Sequence, residues 1–151
     1  MRVSAKADYA IRAAVELAAA GDGPVKGERI ANAQSIPPNF LENILADLRN
    51  AGIVGSRRGA EGGYWLARPA EEVSLADVIR AVDGPLANVR GVRSDELEYE
   101  GSAKALEQVW IAVRASLRSV LERVTLADVA RGVLPDHVRQ LAADPDAWAP
   151  H

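Results

Sequence analysis

Residues 25–69 read VKGERIANAQSIPPNFLENILADLRNAGIVGSRRGAEGGYWLARP, and the order of signals in this stretch decides the fold. A first helix runs from about Lys26 to Gln34, with Ile30, Ala31 and Ala33 facing inward, and the chain turns at Ser35-Ile36-Pro37. Pro38 suits the first position of a second helix, where no amide donor is needed and the fixed φ is already helical. From Pro38 to Ala51, Leu41, Ile44, Leu45 and Leu48 fall on one side of a 100° wheel, so this helix packs along a single stripe. Gly52 supplies the left-handed residue that commonly ends a helix. Two β-prone runs then flank a tip holding Arg57, Arg58 and glycines, which reads as a hairpin. Two helices joined by a tight corner and followed by a Gly-rich hairpin make a winged helix-turn-helix.

The outward face of the second helix carries Asn39, Asn43, Ala46 and Asn50, flanked by Glu42 and Asp47. Asn donates and accepts at once against an adenine edge, and Glu accepts from a cytosine amino group. A solvated face explains the same residues, and composition alone does not separate the two readings. The hairpin adds weight to the first. Its glycines, Gly59 and Gly62 among them, leave no side chain to hold the backbone away from a nucleic-acid strand. Its two adjacent arginines supply charge for phosphates or a narrow minor groove.

The Ile30-Ala31 pair, the run Phe40-Leu41-Glu42-Asn43-Ile44-Leu45, the run Leu48-Arg49-Asn50-Ala51-Gly52-Ile53-Val54 and the wing Arg58-Gly59-Ala60-Glu61-Gly62-Gly63-Tyr64 carry a resemblance. The chain resembles the Rrf-two family of bacterial transcriptional regulators, which includes the iron–sulfur regulators IscR and NsrR. The resemblance implies a homodimeric, sequence-specific regulator of repressor type, bound to a pseudo-palindromic operator in double-stranded DNA. Asn39, Phe40, Glu42 and Asn43 would then face the major groove and Arg58, with Gly59, Gly62 and Tyr64 around it, the minor groove. Ser4, Lys6, Tyr9, Lys26, Arg49 and Arg57 would hold phosphates. Tyr9 equally suits a core position with its hydroxyl at the surface. Pro37-Pro38 and Asn39 stand where small hydroxyl residues are common in the family, which leaves the target sequence undefined but not the fold.

Outside this stretch, 151 residues suffice for one domain with an extension, and 48% hydrophobic with 26% charged residues is an ordinary globular balance. No apolar run approaches membrane-spanning length and the N-terminus lacks a signal-peptide core, so the expected location is cytoplasmic and no membrane partner is expected. The net charge of −3 is unevenly spread. Residues 1–70 hold nine Lys/Arg against seven Asp/Glu, a net +2, and residues 71–151 hold nine against fourteen, a net −5. The small basic excess lies with the DNA-binding candidate.

There are no cysteines, which rules out disulfides, thiolate metal sites and thiol sensing, and the two histidines, His137 and His151, form no imidazole cluster. Where the family's iron–sulfur members place cluster ligands, this chain has Gly, Val, Ser and acidic residues, with Glu107 near a position some members fill with histidine. Cluster binding is therefore not carried over and no cofactor is expected. The acidic run Asp95, Glu96, Glu98 and Glu100 has the ligand type for a hard divalent cation, but a bare acidic run more often is simply solvated.

Ser4 caps a helix reaching about Ala20, with Ala7, Ile11, Ala14, Val15 and Ala18 on its inner side. Ser74 and Thr125 each open a short helix with Asp three residues on, an acidic variant of the capping box. Residues 86–101 read as a solvated loop. From Ser102 to Val124 the positions Ala103, Leu106, Trp110, Val113, Leu117, Val120 and Val124 alternate spacings of three and four, a heptad seam that wants a partner. The resemblance implies that the partner is the same helix of a second subunit.

The chain thus divides into a DNA-binding part at 1–70, a linking helix, acidic loop and dimerisation helices at 71–134, and a short helix and tail at 135–151. Trp65, Trp110 and Tyr99 could line an apolar pocket for a small-molecule effector, although Trp110 better suits ordinary dimer packing, as seam aromatics commonly do. A winged-helix module that binds protein instead of DNA is the alternative. An enzyme is not expected, because no nucleophile–base pair or convergent carboxylate pair stands out.

Overall fold

A computed structural model describes residues 1–151. Helix α1 spans Ala5–Ala20, and the Ser4 hydroxyl accepts from the Ala7 amide at 2.9 Å, closing the first turn as the sequence predicts. Helices α2 (Gly27–Gln34) and α3 (Pro38–Asn50) meet at Ser35, which sits in the left-handed region at φ 52°, and Pro38 occupies the first turn of α3. Gly52 follows at φ 76°. Strands β1 (Val54–Arg57) and β2 (Gly63–Leu66) then form an antiparallel hairpin in which Val54 faces Leu66 and Arg57 faces Gly63. A backbone bridge between Val25 and Tyr64 pins this hairpin to the start of α2, with both amides bonded at 2.8 Å.

Helix α1 is the hub, lying against α2, α3, α4 (Leu75–Asp83) and α6 (Leu126–Arg131). Its buried face is Ala7, Ala10, Ala13, Ala14 and Leu17, whereas Ile11, Val15 and Ala18 are only half-buried. The expected face thus holds at Ala7 and Ala14, with Ile11, Val15 and Ala18 packed at its edge and Ala10, Ala13 and Leu17 added to it. A helix crowded by four neighbours buries its smallest residues, because alanine lets the backbones approach closely. Ala33 of α2, expected inside, is exposed for a related reason: Ile30 and Ala31 already fill the contact with α3.

Leu41, Ile44, Leu45 and Leu48 of α3 join Ala10, Ala13, Ala14, Leu17, Val25, Ile30 and Val54 in one core. That core also takes in Val73, Val78 and Leu126, from beyond residue 70. The two capping boxes lie side by side. Ser74 and Thr125 bridge through the Leu75 amide to Val124 and the Leu126 amide to Val73, both at 2.9 Å.

Helix α5 spans Leu106–Leu121, shorter than the Ser102–Val124 expected, because Gly101–Ala103 forms a separate 3-10 turn and Thr125 starts the next cap. No residue of α5 is buried. Leu106, Trp110, Val113, Leu117 and Val120 are half-buried, Ala103 is exposed and Val124 alone of the seam is inside. The helix rests on α4 and on a 3-10 turn at Ser94–Glu96.

The segment 86–101 is more folded than a solvated loop: Leu86, Ser94 and Leu97 are buried, and the Ser94 hydroxyl donates to the Ala87 carbonyl at 2.6 Å. Helix α7 (Asp136–Ala143) is tethered by His137, whose Nε2 lies 2.8 Å from the Ser119 carbonyl, and the chain ends in a 3-10 turn with Trp148 77% exposed.

Candidate nucleic-acid interface

The apolar stripe of α3 is wholly inside, so its opposite face must be outside: Asn39, Phe40, Glu42, Asn43, Arg49 and Asn50 are all exposed. Phe40 is 53% exposed, held edge-on to Tyr9 with ring centroids 6.1 Å apart. Tyr9 in turn carries the Arg12 guanidinium over its ring, 4.8 Å from the centroid. Arg12 also donates to the Gln34 carbonyl at 2.6 Å, so Tyr9 is half-buried and fixed between α2 and α3.

Between α3 and the hairpin lies a cleft of about 390 Å³. Its walls include Lys26, Glu42, Arg49, Arg57, Arg58 and Tyr64, six of the residues singled out from the sequence. Three of the four cations are braced: the Lys26 ammonium donates to the Gly59 carbonyl at 2.7 Å, Arg49 to the Ser56 hydroxyl at 3.2 Å and Arg57 to the Glu61 carbonyl at 3.3 Å. Each keeps further N–H groups free to bind an anion. Arg58, at the exposed tip, has no partner within the chain. Four cations round one groove, with Glu42 the only carboxylate in its wall, form a positive slot beside the amide face of α3.

The glycines of the tip have different duties. Gly59 is exposed at φ 103°, a conformation open to glycine and rare for other residues. Gly62 is buried: a Cβ there would lie 2.0 Å from the Arg57 carbonyl oxygen and 2.7 Å from the Arg58 carbonyl carbon. Gly62 therefore lets the hairpin close on itself and offers no surface to a partner, unlike the expectation from the sequence. At the start of α1, the Ser4 hydroxyl donates to Asp83 at 2.5 Å and the Lys6 ammonium pairs with Asp47 at 2.6 Å. These two side chains tie α1 to α4 and α3, and a phosphate would have to compete with those carboxylates. Glu28, Arg29 and Asn32 form an open hollow next to Lys26 on α2. Nothing in the local sequence marks these three, because they lie on the exposed side of α2, away from the inward Ile30 and Ala31.

The effector cavity expected at Trp65, Trp110 and Tyr99 does not form. Trp65 packs over Gly55 and lines a hollow with Leu17, Ala18 and Arg68, while the Trp110 indole N–H donates to the Tyr99 hydroxyl at 2.9 Å elsewhere.

The comparisons bear directly on this arrangement. Residues 3–132 match the family model described as "Rrf2: Iron-dependent Transcriptional regulator". The chain belongs to the Rrf2 family. A Mycobacterium tuberculosis protein named as an HTH-type transcriptional regulator is 59% identical over 145 residues, covering 95% of this chain and 90% of that one. CymR of Bacillus subtilis is 37% identical over 131 residues, covering 86% and 90%. Among solved structures, CymR, titled the global cysteine regulator of B. subtilis, superposes with a TM-score of 0.74 at 35% identity, covering 88% of this chain and 98% of that one. IscR of T. potens gives 0.69 at 33% identity, covering 100% and 93%.

This Rrf2 chain is a DNA-binding transcriptional regulator and not an enzyme, and the alternative of a protein-binding winged helix is set aside. No helix is long and apolar enough to cross a membrane.

The family's description names iron, and the donor set here does not fit it. The chain has no cysteine, His137 is turned to the Ser119 carbonyl, and Asp95 is gripped by Arg93 at 3.0 and 2.7 Å. No three His, Asp or Glu side chains converge.

Proposed function

We propose that this regulator is a homodimeric repressor that binds a pseudo-palindromic operator in double-stranded DNA without an iron–sulfur cluster. In this reading Asn39, Glu42 and Asn43 read major-groove edges with Phe40 beside them at the DNA, Arg58 enters the minor groove, and Lys26, Arg49 and Arg57 hold phosphates. Residues 1–70 supply the DNA contacts, 71–134 the link and the dimer, and 135–151 the tail. The protein works in the cytoplasm, where the operator is.

The observation that carries this reading is the cationic cleft between α3 and the hairpin, whose tip arginine is left without an internal partner. The dimer rests on α5: a 16-residue helix with no buried residue, and with Val109 48% exposed beside its seam, is costly to leave in water. A two-fold pair doubles the phosphate contacts of one winged helix and matches two half-sites. Mapping the promoters occupied by the protein, its own first, tests the assignment. Repression predicts that transcription from those promoters rises when the gene is deleted, and a fall would make it an activator.

A further inference from the structure

Away from the α3 cleft, three guanidinium groups from separate parts of the chain meet over one small pocket. Arg80 comes from α4, Arg93 from the segment after it and Arg114 from α5, and with Gly84, Pro85 and Leu86 they line a volume of about 280 Å³. Like charges gather at a cost unless counter-charges offset them. Here Glu122 bonds Arg80 at 2.5 Å and Arg118 at 2.8 Å, and Asp95 grips Arg93, with Glu96 3.9 Å away. Arg80, Arg93, Arg114 and Arg118 thus face Asp95, Glu96 and Glu122, which leaves one positive charge over. Arg114 is half-buried and makes no hydrogen bond or close ion pair within the chain, and shares the charge of Asp95 with Arg93 through space. Arg80 and Arg93 also keep N–H groups that their carboxylates do not use.

We infer that this pocket is a binding site for a small oxyanion, a carboxylate or phosphate compound, held by Arg114 with Arg80 and Arg93. Guanidinium forks match such groups in bidentate fashion, and the volume lies just below the about 300 Å³ at which pockets for drug-sized ligands begin, as suits a smaller anion. Pro85 and Leu86 add an apolar edge beside the three guanidinium groups. Because the three arginines belong to α4, to the loop and to α5, an occupant would clamp the linking helix α4 to the dimerisation helix. The pocket shares no residue with the α3 cleft, so this inference stands or falls apart from the DNA-binding reading.

The test is calorimetric titration of the full-length, DNA-free protein with inorganic phosphate and, separately, with succinate, in chloride buffer. Saturable binding of at least one is expected, and which one binds separates phosphate from carboxylate chemistry. Arg114→Gln and Arg93→Gln should each weaken it roughly tenfold or more, the loss of a charged hydrogen bond. Arg131→Gln, which alters only a surface pair with Glu71, should leave it unchanged. No saturable binding of either anion, or equal binding by both pocket variants, overturns the inference. So does loss of binding in Arg58→Ala, which would place the anion in the α3 cleft.

Discussion

Replacing Arg58 with alanine removes a guanidinium that nothing else in the chain engages, at the tip of a hairpin whose strands end at Arg57 and Gly63. Lys26, Arg49 and Arg57 all donate to oxygens of the hairpin and would take some structure with them if lost, whereas Arg58 would not. Folding stability should therefore change by no more than about 0.5 kcal/mol, as for surface positions without a partner. DNA affinity should fall by about 1–3 kcal/mol for each arginine engaged, or roughly 5- to 150-fold. The two copies in a dimer are far enough apart for their effects to add. Fluorescence anisotropy with an operator duplex at fixed salt measures the affinity, and urea unfolding measures the stability. Unchanged affinity would remove the wing from DNA recognition. A large loss of stability would show that Arg58 has a structural role, contrary to its free position.

Three further outcomes follow from particular contacts. Val113→Glu puts a charge in the α5 seam of both copies, so sedimentation should show a single 16.1 kDa chain with helix content retained; a persistent dimer would refute the seam. Gly62→Ala drives a Cβ into the hairpin's own backbone, which cannot yield as a side chain tip would, and should cost about 1–3 kcal/mol in urea unfolding together with weakened DNA binding. An unchanged midpoint would mean the tip can re-form. Hydrogen bonds from Arg118 and then Arg80 pull the Glu122 carboxyl from its ordinary value of 4.5 down to about 2. A depressed folded value means the stabilisation is complete above pH 4.5 and disappears as pH falls toward 2. Wild type should exceed Glu122→Gln in urea midpoint at pH 7, with the gap closing over that window at fixed protein concentration. A constant gap would mean the carboxylate charge is not what matters.

What the sequence made legible was whatever depends on near neighbours in the chain. The caps at Ser4, Ser74 and Thr125 join residues three apart, and the α3 stripe has a helical period, so both appear in the residue order. The Gly-rich tip announces a hairpin, although not that Gly62 lies underneath it. Tertiary partners were not legible. Lys6 meets Asp47 and Arg80 meets Glu122 across 41 and 42 positions, and no local signal marks either pair.

The inner face of α1 was legible in part: Ala7 and Ala14 are buried and Ile11, Val15 and Ala18 pack half-buried on the core, while Ala10, Ala13 and Leu17 complete the face. Trp65 and Trp110 were linked by chemistry alone, and the fold puts them on different surfaces. In the same way the three arginines at 80, 93 and 114 are unremarkable in the sequence, and only folding gathers them.

The account depends above all on duplex DNA lying in the α3–hairpin cleft of two subunits at once. Operator affinity measured across a range of salt concentrations tests this most directly. Each phosphate neutralised contributes a slope of about −0.9 to log K against log salt, so Lys26, Arg49 and Arg57 of two chains give about −5, and the minor-groove Arg58 of each extends the limit to near −7. A slope between about −4 and −7, with two chains per duplex, is the predicted result. A slope shallower than about −2, or saturation at one chain per duplex, would contradict it.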